Sequence, residues 1–219
     1  CCDVMEKDSL TVKILEWENP SSCMIFCNMK RDVSYLEQVL TNHGFNVAAL
    51  SGDVAQKLRE KTLENFRKQK INILICTDVA ARGIDVSHVT HVIVYDHPED
   101  KEVYVHRSGR TARAGKEGVA ISLITPVEEI ELQKTAADFG IQFEKMPPIT
   151  DEMLTNRLQE RLLDSLEREK RNIRPLDKAR LERFIPLVEK MTKDQDQKET
   201  LAMLLDQYLK KQKGNHGKN

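Results

Sequence analysis

Five short apolar runs, at residues 24–27, 47–50, 71–76, 92–94 and 119–124, most constrain this chain. Each is too brief for a helix and is bounded by turn residues, as strands buried on both faces are. Helical spacing fills the gaps. Residues 10–17 read as a short helix ended by Asn19-Pro20. Val33, Leu36, Val39 and Leu40 keep a helical period until Gly44, and Leu58, Leu63 and Phe66 mark another helix among charges. Residues 126–139 predict a further helix, opened by Pro126 and closed by Gly140. Strands alternating with amphipathic helices across short loops give an α/β fold, a mostly parallel sheet with helices on both faces. Such sheets bind ligands at the carboxyl ends of their strands. Ser51-Gly52-Asp53 follows the second run and Thr77-Asp78 the third.

The run from His106 to Gly115 holds three arginines and a histidine within eight residues, with no carboxylate among them. Arg110 and Arg113 are spaced to project from one side of a helical turn. Planar guanidinium forks suit phosphate oxygens, so the cluster expects a polyphosphate. Taken alone, a solvated basic turn would explain it as well.

Bulk charge does not point to nucleic acid. The net charge is −1 at pH 7; residues 1–145 carry 18 Lys and Arg against 22 Asp and Glu, and residues 146–219 carry 16 against 13. Any nucleic-acid contact must therefore be local. The five cysteines, at 1, 2, 23, 27 and 76, form no Cys-x-x-Cys pair and no four-ligand pattern. They argue against a zinc site and for a reducing, cytoplasmic setting. No metal ligand set is expected. No apolar stretch approaches the ~20 residues of a membrane span.

Three stretches in order, Gln56-x-x-Arg59, the decapeptide from Thr77 to Val86, and His106 to Arg113, resemble the motifs of DEAD-box RNA helicases. The run from Val94 to Asp100 is similar to that family too. The likeness spans about residues 7–145 and implies a RecA-like C-terminal domain. One departure is Ala112, where the family usually has Gly. The resemblance implies that Arg110 and Arg113 are arginine fingers for the γ-phosphate of ATP. It implies that His106 and Arg107 reach toward acids of a first RecA-like domain. Asp85, with Gly83 leaving room, would accept a hydrogen bond from the ATP ribose. On the other rim Arg59 and Thr77 would contact RNA phosphates, Gln56 would anchor that loop, and the Ser51-Gly52 backbone would approach the strand. Lys30 and Arg31 would add charge. Backbone contacts carry no base code, so RNA binding would be largely sequence-independent. Read singly, these residues keep plainer alternatives: a cap for Asp85, a local hydrogen bond for His106, solvated charges for the arginines.

A nucleotide-hydrolysing core needs a phosphate loop and an acid that holds Mg²⁺. Gly-x-x-x-x-Gly-Lys-Ser/Thr does not occur, and Gly115-Lys116 is followed by Glu117. The resemblance therefore implies half of an ATP-dependent RNA helicase, inactive alone, with ATP and Mg²⁺ held mainly by an N-terminal RecA-like domain. The rival class is a non-catalytic RNA-binding or scaffold module that retains the fold.

Met146-Pro147-Pro148 marks the best boundary. The expected organisation is a linker remnant at 1–9, the RecA-like domain at 10–145, a helical module at 146–211 and a basic disordered tail at 212–219. In the module Leu154, Leu158, Leu162 and Leu166 form one stripe; Leu181, Phe184, Val188 and Met191 form a second. Leu201, Leu204, Leu205, Tyr208 and Leu209 form a third. Three helices in about 70 residues bury little by themselves. By position and pattern the segment resembles the dimerisation module of cold-shock-type bacterial DEAD-box proteins, which implies a homodimer through residues 150–211. Packing back on the first domain is the alternative.

Overall fold

A computed structural model of the chain describes residues 2–81, 89–112 and 117–215. It divides into two compact units, residues 1–149 with 214–219, and residues 150–213.

The first unit is built on a five-stranded sheet: β1 (Cys23–Phe26), β2 (Val47–Leu50), β3 (Ile73–Cys76), β4 (His91–Val94) and β5 (Val119–Ser122). All pairings are parallel, in the order β2-β3-β1-β4-β5. The register sets Leu50, Cys76, Phe26, Val94 and Ser122 side by side, so all five carboxyl ends fall on one edge. Parallel neighbours require crossovers, which the helices supply. These are α1 (Lys7–Glu18), α2 (Lys30–Asn42), α3 (Gln56–Arg67), α4 (Asp78–Ala81), α5 (Lys101–Ser108) and α6 (Pro126–Phe139).

Side chains alternate across the sheet. Met24 and Phe26 of β1 join Leu74 and Cys76 of β3 and Val92 and Val94 of β4 in one cluster with Leu63, Phe66, Tyr104 and Leu132 of α3, α5 and α6. Val12 and Leu15 of α1 and Val33, Leu36 and Leu40 of α2 are buried outside that cluster, on the face of Cys23 and Ile25. Cys23, Cys27 and Cys76 are fully buried free thiols. Burial pushes the Cys23 and Cys27 thiols well up and the Cys76 thiol up to about 12.

The expected helix at 126–139 carries a full capping box. Glu128 N donates to Thr125 Oγ1, the Thr125 backbone N–H donates back to the Glu128 carboxylate at 2.7 Å, and Gly140 closes the helix in the left-handed region. At the other end of the chain lies the stretch expected to be a linker remnant. A 3₁₀ turn covers Val4–Glu6 and α1 starts at Lys7, whose side chain is buried. The Cys2 N–H donates to Ile124 O at 2.9 Å.

The second unit comprises α7 (Asp151–Arg171), α8 (Pro175–Glu182), α9 (Ile185–Met191) and α10 (Gln195–Asn215). The second expected stripe is broken at Phe184, because Pro186 has no N–H to give to a preceding turn. Helix α10 continues to Asn215, aided by an Asp206–Lys210 pair at 2.7 Å, and residues 216–219 of the expected tail lie outside the described residues. Leu154 and Leu162 of α7 are buried, whereas Phe184, Ile185, Leu187, Met203 and Leu204 are each at least half exposed. No described helix is long and apolar enough to cross a membrane.

The loop after α5 is held by Thr111, whose hydroxyl donates to Val89 O or Thr90 O at 2.8 and 3.0 Å. A Cβ on Gly118 would lie 2.0 Å from Thr111 Oγ1 and 2.6 Å from Ala112 N. Ala112 itself has φ +55°, which accounts for the glycine usual at that position in the family. Gly118→Ala should therefore lower the unfolding free energy by about 2 kcal/mol, from overpacking against backbone. Ala112→Gly should raise it by about 0.5–1 kcal/mol, since relief of left-handed strain exceeds the entropy of glycine. Urea denaturation of the two variants checks both signs.

Candidate nucleotide and RNA site

At the carboxyl edge β1 lies between β3 and β4, and the chain's crossovers run to opposite sides of it. In open parallel sheets this switch point is where a ligand crevice forms. Here the crevice is filled by the protein's own Arg107. Only 2 % of this residue is exposed. Its Nε and Nη2 donate to the two carboxylate oxygens of Asp78 at 2.8 and 2.7 Å, a bidentate fork. Nη1 donates to Asp96 O at 2.6 Å and Nη2 to Asn28 Oδ1 at 2.7 Å, while the guanidinium carbon lies 5.6 Å from the Phe26 ring centroid.

The expectation for Arg107 is a contact with another domain's acids. Four of its donor contacts are satisfied inside its own unit. Asp78 comes from the start of α4, Asn28 from the end of β1 and Asp96 from the end of β4, so one side chain ties three strand ends together. Asn28 completes the tie: its N–H donates to Asp96 Oδ2 at 3.0 Å and its Nδ2 to His97 O at 2.9 Å. Burial raises the Asp96 carboxyl above its ordinary value, against the Asn28 N–H and the nearby Lys7 and Arg107 charges, which lower it. His97 has its Nδ1 buried with no partner, and burial holds it below the ordinary histidine value.

Above Arg107 an open pocket is lined by Phe26, Asp78, Ala81, Val103, His106, Arg107 and Arg110. His106 is exposed on the last turn of α5. Helix α5 ends at Ser108, so Arg110 stands in the turn beyond it. Gly109 N–H donates to Val105 O at 2.8 Å, closing that helix. Arg113, Gly83 and Asp85, with Arg82, lie outside the described residues.

The residues expected to meet RNA lie along the ends of β2, β3 and β1. Thr77 is buried at the end of β3, where its carbonyl accepts the Ala81 N–H. Ser51 and Gly52 follow β2. Gly52 is exposed, has no left-handed backbone, and a Cβ there would meet only Val79 and Lys30 at ordinary contact distance. Lys30 pairs with Asp53, joining the β1–α2 and β2–α3 loops, and Arg31 lies 3.5 Å from Asp32. Both basic residues thus carry a carboxylate neighbour, which weakens the expected positive rim. Gln56 Nε2 donates to Glu60 on its own helix at 2.8 Å rather than to the loop. Arg59 is half-buried one turn into α3.

Sequence reasoning missed Asn28, Asp78 and Asp96 as acceptors of Arg107. The signal available was their place immediately after apolar runs. Among the described residues no cluster of His, Cys, Asp and Glu could hold a metal ion. Removing the buried guanidinium leaves a half-buried carboxylate and two further acceptors without their partner. Arg107→Ala should lower stability by about 3–5 kcal/mol, and Arg107→Lys should recover less than half, because a point charge cannot reproduce the fork. Denaturant titration followed by circular dichroism measures both.

Comparison with known proteins fits this geometry. Residues 6–115 match the model of the helicase conserved C-terminal domain. The DEAD-box ATP-dependent RNA helicase CshA of Geobacillus kaustophilus is 39% identical over 168 residues, covering 75% of this chain and 36% of that protein. The chain thus spans about a third of the length of the curated relatives it matches. Among solved structures, Escherichia coli DEAD-box protein SrmB bound to regulator of ribonuclease activity A superposes with TM-score 0.61 at 34% identity, over 69% of this chain and 88% of that one. Saccharomyces cerevisiae Dbp5 bound to RNA and ADP BeF3 does so with TM-score 0.65 at 30% identity, over 73% and 43%. With its RecA-like parallel sheet and these relatives, the chain belongs to the helicase conserved C-terminal domain family, on its DEAD-box branch.

Proposed function

We propose that this chain is the second motor domain of an ATP-dependent RNA helicase that unwinds or remodels short duplexes. The observation that carries the reading is the pocket at the carboxyl edge, where Arg110, His106 and Asp78 meet above the internally locked Arg107. In it Arg110, with Arg113, acts on the γ-phosphate of ATP whose Mg²⁺ and phosphates are held mainly by an N-terminal RecA-like domain. Gly83 and Asp85 take the ribose. His106, exposed at the pocket, faces that partner domain. A guanidinium so placed stabilises charge spread over the equatorial oxygens without itself changing protonation.

RNA lies along Ser51, Gly52, Gln56, Arg59 and Thr77, with Lys30 and Arg31 contributing little because each has a carboxylate beside it. Gly52 supports this: the chain's own packing does not require a glycine there, whereas close approach by a strand does. A relative, Dbp5, has been solved with both RNA and a nucleotide. Closure of the two domains on ATP and RNA completes the catalytic cluster, and reopening releases the products. The apolar residues of α8, α9 and α10 left exposed, among them Leu181, Phe184, Val188 and Leu205, support a homodimer through residues 150–211.

In the protein carrying both motor domains, Arg110→Ala should cut RNA-stimulated ATP turnover by about 10³ while leaving the thermal melt unchanged. Near-parental turnover would remove the finger assignment. For the dimer, light scattering at micromolar concentration should give twice the chain's 25.2 kDa; a monomer mass sinks that part of the reading alone.

A further inference from the structure

Lys7 and Arg107 are the two buried basic side chains among the described residues. The role of Arg107 follows from its four contacts; that of Lys7 does not follow from the family motifs. It stands at the first position of α1, where a lysine would ordinarily reach into water. Instead it is 4 % exposed. Its Nζ donates to Tyr95 O at 3.0 Å and lies 3.6 Å from Glu128 Oε2, 3.9 Å from Asp96 Oδ1 and 5.8 Å from the centre of the Tyr95 ring. Burying an ammonium is unfavourable unless its donors and charge are matched, and here two carboxylates and a carbonyl match it.

These contacts converge on one turn, residues 95–97, just past β4. The same turn is gripped from its other side. Asp96 O accepts Arg107 Nη1, Asp96 Oδ2 accepts the Asn28 N–H, and His97 O accepts Asn28 Nδ2. Lys7 is itself held: Thr11 Oγ1 donates to its carbonyl at 2.6 Å, and the Cys2 N–H bonds Ile124 O. The chain before α1 is therefore strapped across the ends of β4 and β5, with Lys7 as its inward anchor.

We propose that Lys7 is a positioning residue for the arginine pocket: it holds the 95–97 turn where Asp96 O meets Arg107, so that the segment leading into α1 and the guanidinium site move as one body. The pocket's catalytic meaning rests on the proposed function, but the mechanical link does not. In a domain that follows another, the incoming segment is the covalent route by which relative movement arrives. Anchoring it to the turn that carries an Arg107 acceptor ties that movement to the site.

The test uses the buried Nε–H of Arg107, observed by NMR in this chain and assigned by its loss in Arg107→Lys. In Lys7→Met its hydrogen exchange should accelerate at least ~10-fold, while the β1 and β3 amides keep their protection, as local opening does. Lys7→Gln, which can still donate to Tyr95 O but carries no charge, serves if Lys7→Met does not fold. Unchanged Arg107 exchange overturns the proposal. So does an equal loss of protection across the whole sheet, or failure of both variants to fold, since either makes Lys7 a residue of general stability. In the protein with both motor domains, Lys7→Met should lower kcat by about tenfold, as small misplacements of catalytic groups do, with KM for RNA within twofold. An unchanged kcat overturns the positioning role. If the parent itself turns over no ATP, the proposed function fails and the exchange measurement alone decides the role of Lys7.

Discussion

A guanidinium buried at the centre of the sheet's carboxyl edge is the constraint on which this domain depends. Removing such a charge from water is unfavourable by several kcal/mol. It becomes acceptable only because a carboxylate, a carbonyl and a side-chain amide converge on it in the planar arrangement that Arg can use. Asp78, Asp96 and Asn28 each follow a different strand, so satisfying one side chain fixes the relative positions of β3, β4 and β1. A helix such as α4, four residues long, has little stability of its own. Its first residue is fastened from outside through Asp78.

Arginines at 107 and 110 are three residues apart and do opposite work. One faces inward because it belongs to α5; the other lines the pocket because the helix has already ended. Had α5 continued, Arg110 would sit nearly one turn above Arg107 on the same buried side. The end of the helix at Ser108, and the Thr111 anchor beyond it, therefore separate a buried, internally bonded arginine from a half-buried one at the pocket wall. The rim by β2 and β1 follows a different rule. Lys30 and Arg31 are exposed and paired with acids that water also reaches, and such pairs contribute little to stability and can exchange partners at small cost.

The strands were legible because the inner ones, covered on both faces, write themselves as nearly unbroken apolar runs, while β5 at the edge stays partly exposed. β2 fell on its expected bounds and the other ends were off by at most two residues, partly because apolar burial continues past the ladder: Leu123 and Ile124 stay buried beyond the end of β5. Helix α6 was legible at both ends, because Pro126 and Gly140 act through neighbours in sequence. What the sequence hid is long-range polar pairing. Arg107 finds acceptors 11, 29 and 79 residues away, and Lys7 finds its own 88 residues away. Nothing local in the sequence marks either as buried. Pro186 was a local signal of a helix break, and the apolar stripe that runs across it concealed it.

The thiols in the sheet have a consequence of their own. Cys23, Cys27 and Cys76 are sealed from solvent and held in the protonated form, in which sulfur is a poor nucleophile. Oxidants and alkylating reagents find no thiolate there while the strands stay closed. The three sulfurs therefore act as internal clocks: the rate at which a reagent consumes them reports how often the middle of the domain comes apart.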